Sequence, residues 1–162
     1  MSVAAGPISP LPRGAVERRL FVDAPPDVVW AALHDPGCPV WRDVRLHLGP
    51  AGPDWPAAGA RRHARYRVGP IALGTLLESL EARPARRFRV GIGGGAIVGE
   101  RRWELTPASG GTRVAGAVHL EGRSRVGRAF VRLGRGGIGP RLEAELAALK
   151  VKAEAAAGRP AP

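Results

Sequence analysis

The chain has 162 residues and a mass of 17.0 kDa, the size of one domain or of one domain with tails. It holds 23 Arg and 2 Lys, no Asn or Gln, and one cysteine, Cys38. That composition excludes an intramolecular disulfide, a multi-cysteine metal centre, N-glycosylation and any mechanism that needs a side-chain amide. The net charge of +11 is uneven: residues 1–60 sum to −1, and residues 61–162 sum to +12.

A basic half suits nucleic acid, an anionic membrane or an acidic ligand. A GC-rich coding sequence also writes Arg, Ala, Gly and Pro over a surface, so the charge alone names no partner. The uncharged runs 68–77 and 90–99 are ten residues each and interrupted by glycine. A membrane span needs about 20 apolar residues. Residues 1–12 carry no basic side chain and no continuous apolar stretch, which argues against a secretory leader and for a cytoplasmic protein.

In chain order, residues 1–14, with Pro7, Pro10 and Pro12, read as a loose arm, and 158–162 as a tail. One domain over 15–157 remains. Residues 16–22 read as a first strand. Pro25 and Pro26 then open a helix, Asp27 sits at the positive end of its dipole, and Val29, Trp30 and Leu33 share one face. Pro36 stops that helix, and a second short helical turn is expected over 37–41.

From there the period changes to two, with Val44, Leu46 and Leu48 alternating with Arg45 and His47. Residues 49–59, with three prolines around Trp55, form a long loop. Strands over 61–68, 71–82, 86–93, 96–106 and 112–121 follow, joined by Gly- and Pro-rich turns, which makes an antiparallel meander. Leu142, Leu146, Leu149 and Ala153 fall at helical spacing and give a long amphipathic helix ending near Gly158. The sheet would expose one apolar face, and this helix carries the stripe that matches it.

The order strand, short helices, six strands and long helix resembles the START-like (SRPBCC) superfamily, and within it the polyketide cyclase/dehydrase-like group. The residues that carry the resemblance are Phe21-Val-Asp-Ala-Pro-Pro-Asp-Val-Val-Trp30, then Leu33, Asp35 and Trp41. The hairpin from Glu78 to Arg87, Trp103-Glu-Leu-Thr-Pro107 with Gly111-Thr112, and the terminal helix complete it. The resemblance spans about residues 15–157. It implies an α+β helix-grip fold: a seven-stranded curved antiparallel sheet wrapped around the long C-terminal helix, two short helices after strand 1, and an apolar cavity between sheet and helix.

Alternation along the strands assigns Tyr66, Val68, Leu76, Glu78, Phe88, Val90, Ile92, Arg101, Trp103 and Val118 to the cavity, with Phe130, Leu142 and Leu146 facing them from the helix. An apolar cavity with a few placed polar groups is the make-up of a small-molecule site. Arg101 is the most informative member, because a desolvated guanidinium needs a partner. Three readings stand: an ion pair with a glutamate such as Glu78, a side chain reaching to water at the cavity rim, or an anchor for the acidic end of a ligand. The leading function is binding of a hydrophobic or aromatic molecule, lipid- or polyketide-like. A cyclase or dehydratase using the same cavity is the alternative.

No nucleophile sits beside a positioned base in sequence, the family resemblance maps no catalytic signature onto this chain, and the four histidines lack metal-ligand spacing, so no metal or cofactor is expected. His119 and Glu121 could form an acid–base pair only on the strand's outer face. Gly91-Ile-Gly-Gly-Gly-Ala96 fits a dinucleotide fingerprint but leads into a strand, not a helix N-terminus, and reads as a hairpin. The run 123–135 is different. As a helix it sets Arg125, Arg128, Arg132 and Arg135 apart from Val126, Phe130 and Leu133, a pattern for an anionic surface, although Gly127, Gly134, Gly136 and Gly137 weaken such a helix. Specific nucleic-acid binding is disfavoured, since the aromatics fall on the core face.

Overall fold

The computed structural model describes residues 12–41 and 46–158. The predicted arm up to residue 11, Val44 and Arg45 of the predicted second strand, and the tail beyond Gly158 lie outside the described residues. After β1 (Val16–Val22), Pro25 caps and Pro26 begins α1 (Pro26–His34), where a missing backbone N–H costs nothing. Val29, Ala32 and Leu33 are its buried face. A 3-10 turn at Pro39–Trp41 follows, held by the Trp41 indole N–H, which donates to the Leu33 carbonyl at 2.6 Å.

The remaining strands are β2 (Leu46–Leu48), β3 (Arg61–Val68), β4 (Ile71–Arg83), β5 (Arg87–Gly93), β6 (Ile97–Ala108) and β7 (Gly111–Gly122). They form one antiparallel sheet in the order β1-β7-β6-β5-β4-β3-β2. The last element, α2 (Arg125–Ala157), lies across the concave face and seats Leu142 and Leu146 over Gly116 of β7, where a Cβ would come within 3.1 Å of Leu142. Sheet, short helices and α2 make the helix-grip arrangement.

The faces of β3, β5, β6 and β7 follow the sequence alternation: Tyr66, Phe88, Val90, Ile92, Arg101, Trp103, Val114 and Val118 are buried on the concave side. On β4 the expectation fails. Its pairing sets Leu73 opposite Tyr66 and Thr75 opposite Ala64, so Leu73, Thr75, Leu77 and Ser79 point inward, and Leu76 and Glu78 point outward. The sequence misleads because this strand buries hydroxyls and exposes leucines. Thr75 Oγ1 donates to the Gly93 carbonyl and Ser79 Oγ to the Pro56 carbonyl, each at 2.7 Å, so both are satisfied inside. A bulge between Ser79 and Glu81 then resets the phase.

The glycine-rich lead-in to the last helix is also helical, although four glycines argued against it. Ser124 caps it by accepting from the Gly127 N–H at 3.0 Å, and Phe130 is buried. Gly127 is required by packing: a Cβ there would lie 1.9 Å from the Ala96 carbonyl oxygen. Pro140 lies inside α2 and leaves one intrahelical bond unmade.

The convex face of the sheet is a lattice of charge. Glu81, Glu100 and Glu104 alternate with Arg83, Arg87, Arg89 and Arg102 across β4, β5 and β6. Its best-formed link is bidentate: Arg89 donates to both carboxylate oxygens of Glu100, at 2.8 and 2.9 Å. Four arginines of the basic half are thus matched by three glutamates on this face.

Candidate functional site

Where the concave sheet meets the middle of α2, the side chains leave a pocket of about 50 Å³. That volume holds a few water molecules or the end group of a larger molecule. Val118, Leu120, Ile138 and Leu142 supply apolar wall, and Tyr66, Arg101, Arg141 and Glu145 supply the polar groups. Strand alternation brings Tyr66, Arg101 and Val118 to the concave side, and the turn-by-turn spacing of α2 lowers Ile138, Arg141, Leu142 and Glu145 onto them.

Glu145 organises the polar side. The Arg101 guanidinium donates to its carboxylate, with side chains only 5% and 7% exposed. Arg141, one turn earlier on α2, approaches the other carboxylate oxygen at 3.4 Å. Arg101 also lies over the Trp103 ring, 4.9 Å from its centroid, a cation–π contact. The pairing with Glu78 expected from sequence does not form. Glu78 sits on the convex face and accepts from Arg61 at 3.0 Å.

The predicted site residues thus separate into groups. Tyr66, Arg101, Val118 and Leu142 line the pocket. Val90, Ile92, Phe130 and Leu146 are buried in the core, away from the pocket walls. Phe88 and Trp103 stack at 5.7 Å and meet Trp41 and Trp55 in an aromatic cluster that fills the concave face beside the pocket. Leu76 and Glu78 face the other way. Val68 is paired through its backbone with Ile71, and its side chain is outside the described set.

Glu145, Arg141 and Ile138 were not expected. For Glu145 the signal was present: it lies three residues after Leu142 and four before Leu149, a single acid on the buried stripe of α2 opposite the single buried arginine of the β6 stripe. The loop at 49–59, a plain connection by its composition, folds back through Gly59 and Ser79 and delivers Trp55 to the aromatic cluster.

The remaining reactive groups lie elsewhere. Cys38 is fully buried, and burial pushes its thiol up, away from the thiolate form. His34 packs between Trp30 and Phe88, and its Nδ1–H donates to the Trp30 carbonyl at 2.9 Å. Burial pulls its pKa down, so it is held neutral. His119 meets Glu121 at 3.4 Å on the convex side. Among the described residues no group of three or more His, Cys, Asp or Glu is placed to hold a metal ion, and no helix is long and apolar enough to cross a membrane.

Comparison with known proteins agrees with this architecture. A crystal structure of a Thermus thermophilus protein superposes with a TM-score of 0.64 at 22% identity, covering 89% of this chain and 99% of that one. A Deinococcus radiodurans protein gives 0.64 at 16% identity over 88% and 98% of the two chains. A Rhodobacter sphaeroides protein gives 0.62 at 22% identity over 92% and 98%. These likenesses show the fold. No curated protein matches the sequence. Residues 13–154 match the family model described as polyketide cyclase / dehydrase and lipid transport. With nearly the whole sheet and α2 inside that match, the chain belongs to the polyketide cyclase/dehydrase and lipid transport family.

Proposed function

We propose that this protein binds a hydrophobic small molecule, lipid- or polyketide-like, in the pocket between the sheet and α2, with the polar end of the ligand at Tyr66, Arg101 and Arg141. The observation that supports this most is the buried Arg101–Glu145 pair set into the pocket wall beside Val118, Leu120, Ile138 and Leu142. A buried ion pair is seldom worth its desolvation for stability alone, and well-packed apolar residues would serve a scaffold as well. Placed polar groups on apolar walls are what orients a small ligand. The family's description includes both lipid transport and cyclase or dehydrase chemistry, and binding in a cavity is common to them.

At about 50 Å³ the pocket takes an end group, so a larger ligand enters by displacing the α2 segment that carries Ile138 and Arg141. That segment carries Pro140 and lies beside Gly134 and Gly136, where even an added Cβ would meet nothing within 4 Å.

Native mass spectrometry of protein purified from its own host tests the reading, followed by titration with a fluorescent fatty acid. The expected result is a co-purifying apolar molecule and saturable probe binding that Val118→Phe, which fills the pocket, removes while the fold persists. Absence of any bound molecule together with equal probe behaviour of wild type and Val118→Phe would sink it.

A further inference from the structure

We propose that the N-terminal third of α2 is a docking surface for an anionic lipid bilayer. From residue 122 to residue 142 the chain carries six arginines and no acid. Arg125, Arg128, Arg132 and Arg135 are all exposed on this stretch of helix. At 100° per residue they fall within an arc of about 80°. Val126 and Leu133 lie roughly 100° to the other side of Arg125's edge of that arc, and they are 54% and 73% exposed. Ala129, Gly136 and Pro140, all exposed and small, fill the space between the two flanks. The exposed half of this helix is therefore cationic on one edge and apolar on the other, with a smooth strip between them.

That distribution is what an interfacial helix needs. Guanidiniums pair with lipid phosphates and carboxylates while the apolar edge enters the acyl boundary. It is a poor arrangement for water alone. Leucine and valine are left bare, and the first turn sets Arg125 and Arg128 at the positive end of the helix dipole with no acid to offset them. An apposed layer of negative charge relieves both. The convex sheet treats its arginines differently: Arg83, Arg87, Arg89 and Arg102 are interleaved there with Glu81, Glu100 and Glu104. A duplex or single strand of nucleic acid would use the same charge, but it gives no role to Val126 and Leu133, and no aromatic side chain on this helix face is available to stack on bases. The surface stands on its own residues and does not depend on what the pocket holds.

Vesicle co-sedimentation of the full chain is the test, comparing phosphatidylcholine alone with phosphatidylcholine containing about 30% phosphatidylserine. The wild type should bind only the anionic vesicles, and binding should fall steeply between about 0.05 and 0.5 M salt. Converting Arg125, Arg128, Arg132 and Arg135 to Gln should weaken it by roughly tenfold or more. Converting Arg65, Arg67, Arg86 and Arg113, equally exposed but on the sheet strands and turns, removes the same charge and should leave binding within about twofold, since the effect is local to a Debye length. Val126→Ser with Leu133→Ser should lower the binding that survives at high salt. No binding of the wild type to anionic vesicles, or equal loss from the two arginine sets, overturns the proposal. Equal affinity for DNA and vesicles, with no effect of the Val126 and Leu133 changes, assigns the surface to polyanions in general and also overturns it. Circular dichroism of each variant checks that the helix is intact, and the Arg128→Gln/Arg132→Gln pair replaces the fourfold variant if that one unfolds.

Discussion

Arg101 on β6 and Glu145 on α2 close a buried ion pair across the sheet–helix interface, and Arg141 shares the same carboxylate from one turn away. On the neighbouring strand β7 the contact with α2 is apolar, with Leu142 and Leu146 over Gly116.

Breaking a buried pair by removing one partner typically costs about 3–5 kcal/mol, and the loss should be smaller from the Arg101 side, because Arg141 stays beside Glu145. Arg101→Met and Glu145→Leu should each lower the urea midpoint sharply. Together they should cost clearly less than the sum of the two, because each single variant already breaks the same pair. Additive losses would show that the two side chains act separately.

The convex lattice makes stability depend on pH in a known direction. The hydrogen bonds and charge of Arg89 hold the Glu100 carboxyl below the ordinary carboxylate range. A depressed folded value means that the unfolded chain takes up the proton first. The contribution is therefore full above the ordinary value of about 4.3 and is lost as pH falls through the lower folded value. Unfolding midpoints measured from pH 6 down to about pH 3 should drop for the wild type, and less for Glu100→Gln, whose neutral amide has nothing to lose over that window.

Two glycines of one helix should respond oppositely to alanine. At Gly127 the added Cβ would press on the Ala96 carbonyl oxygen and on Gly122, so the α2 start must move away from the β5–β6 turn, and Gly127→Ala should destabilise by about 1–3 kcal/mol or more. At Gly136 nothing lies within 4 Å, and Gly136→Ala should stabilise by about 0.5–1 kcal/mol through helix propensity. Thermal melts of the two variants side by side check both signs. The pair also separates packing from flexibility as the reason α2 tolerates so many glycines.

The sequence was most legible where one physical signal dominated. Pro25, Pro26 and Asp27 marked the start of α1, and the clean alternation around Phe88, Val90 and Ile92 fixed the inner face of β5. It was least legible on β4, where Thr75 and Ser79 are satisfied by carbonyls of other segments and Leu76 and Leu80 look outward. Hydrophobic pattern cannot see a hydrogen-bond partner about twenty residues away, and that is what inverted the face and misplaced Leu76 and Glu78. The site was half visible. Arg101 stood out on its strand, whereas its partner Glu145 is hidden unless the helix and strand stripes are laid against each other. The depth of the pocket depends on how far the aromatic cluster of Trp41, Trp55, Phe88 and Trp103 fills the sheet, which no local pattern encodes.

The strand order constrains the sequence of events as the chain leaves the ribosome. Strands β3 to β7 pair each with the next through short turns, so the meander can zip as it emerges. The first strand made cannot join in. Val16 pairs with Val118 and Val22 with Thr112, so β1 waits for nearly the whole sheet to be synthesised before it finds its partner strand. Until then the growing edge of the meander offers unpaired backbone groups to any other strand nearby. Placing β1 beside β7, with α2 directly after that strand, makes closure of the edge and burial of the concave face nearly simultaneous steps, and leaves the domain most open to misassociation just before them.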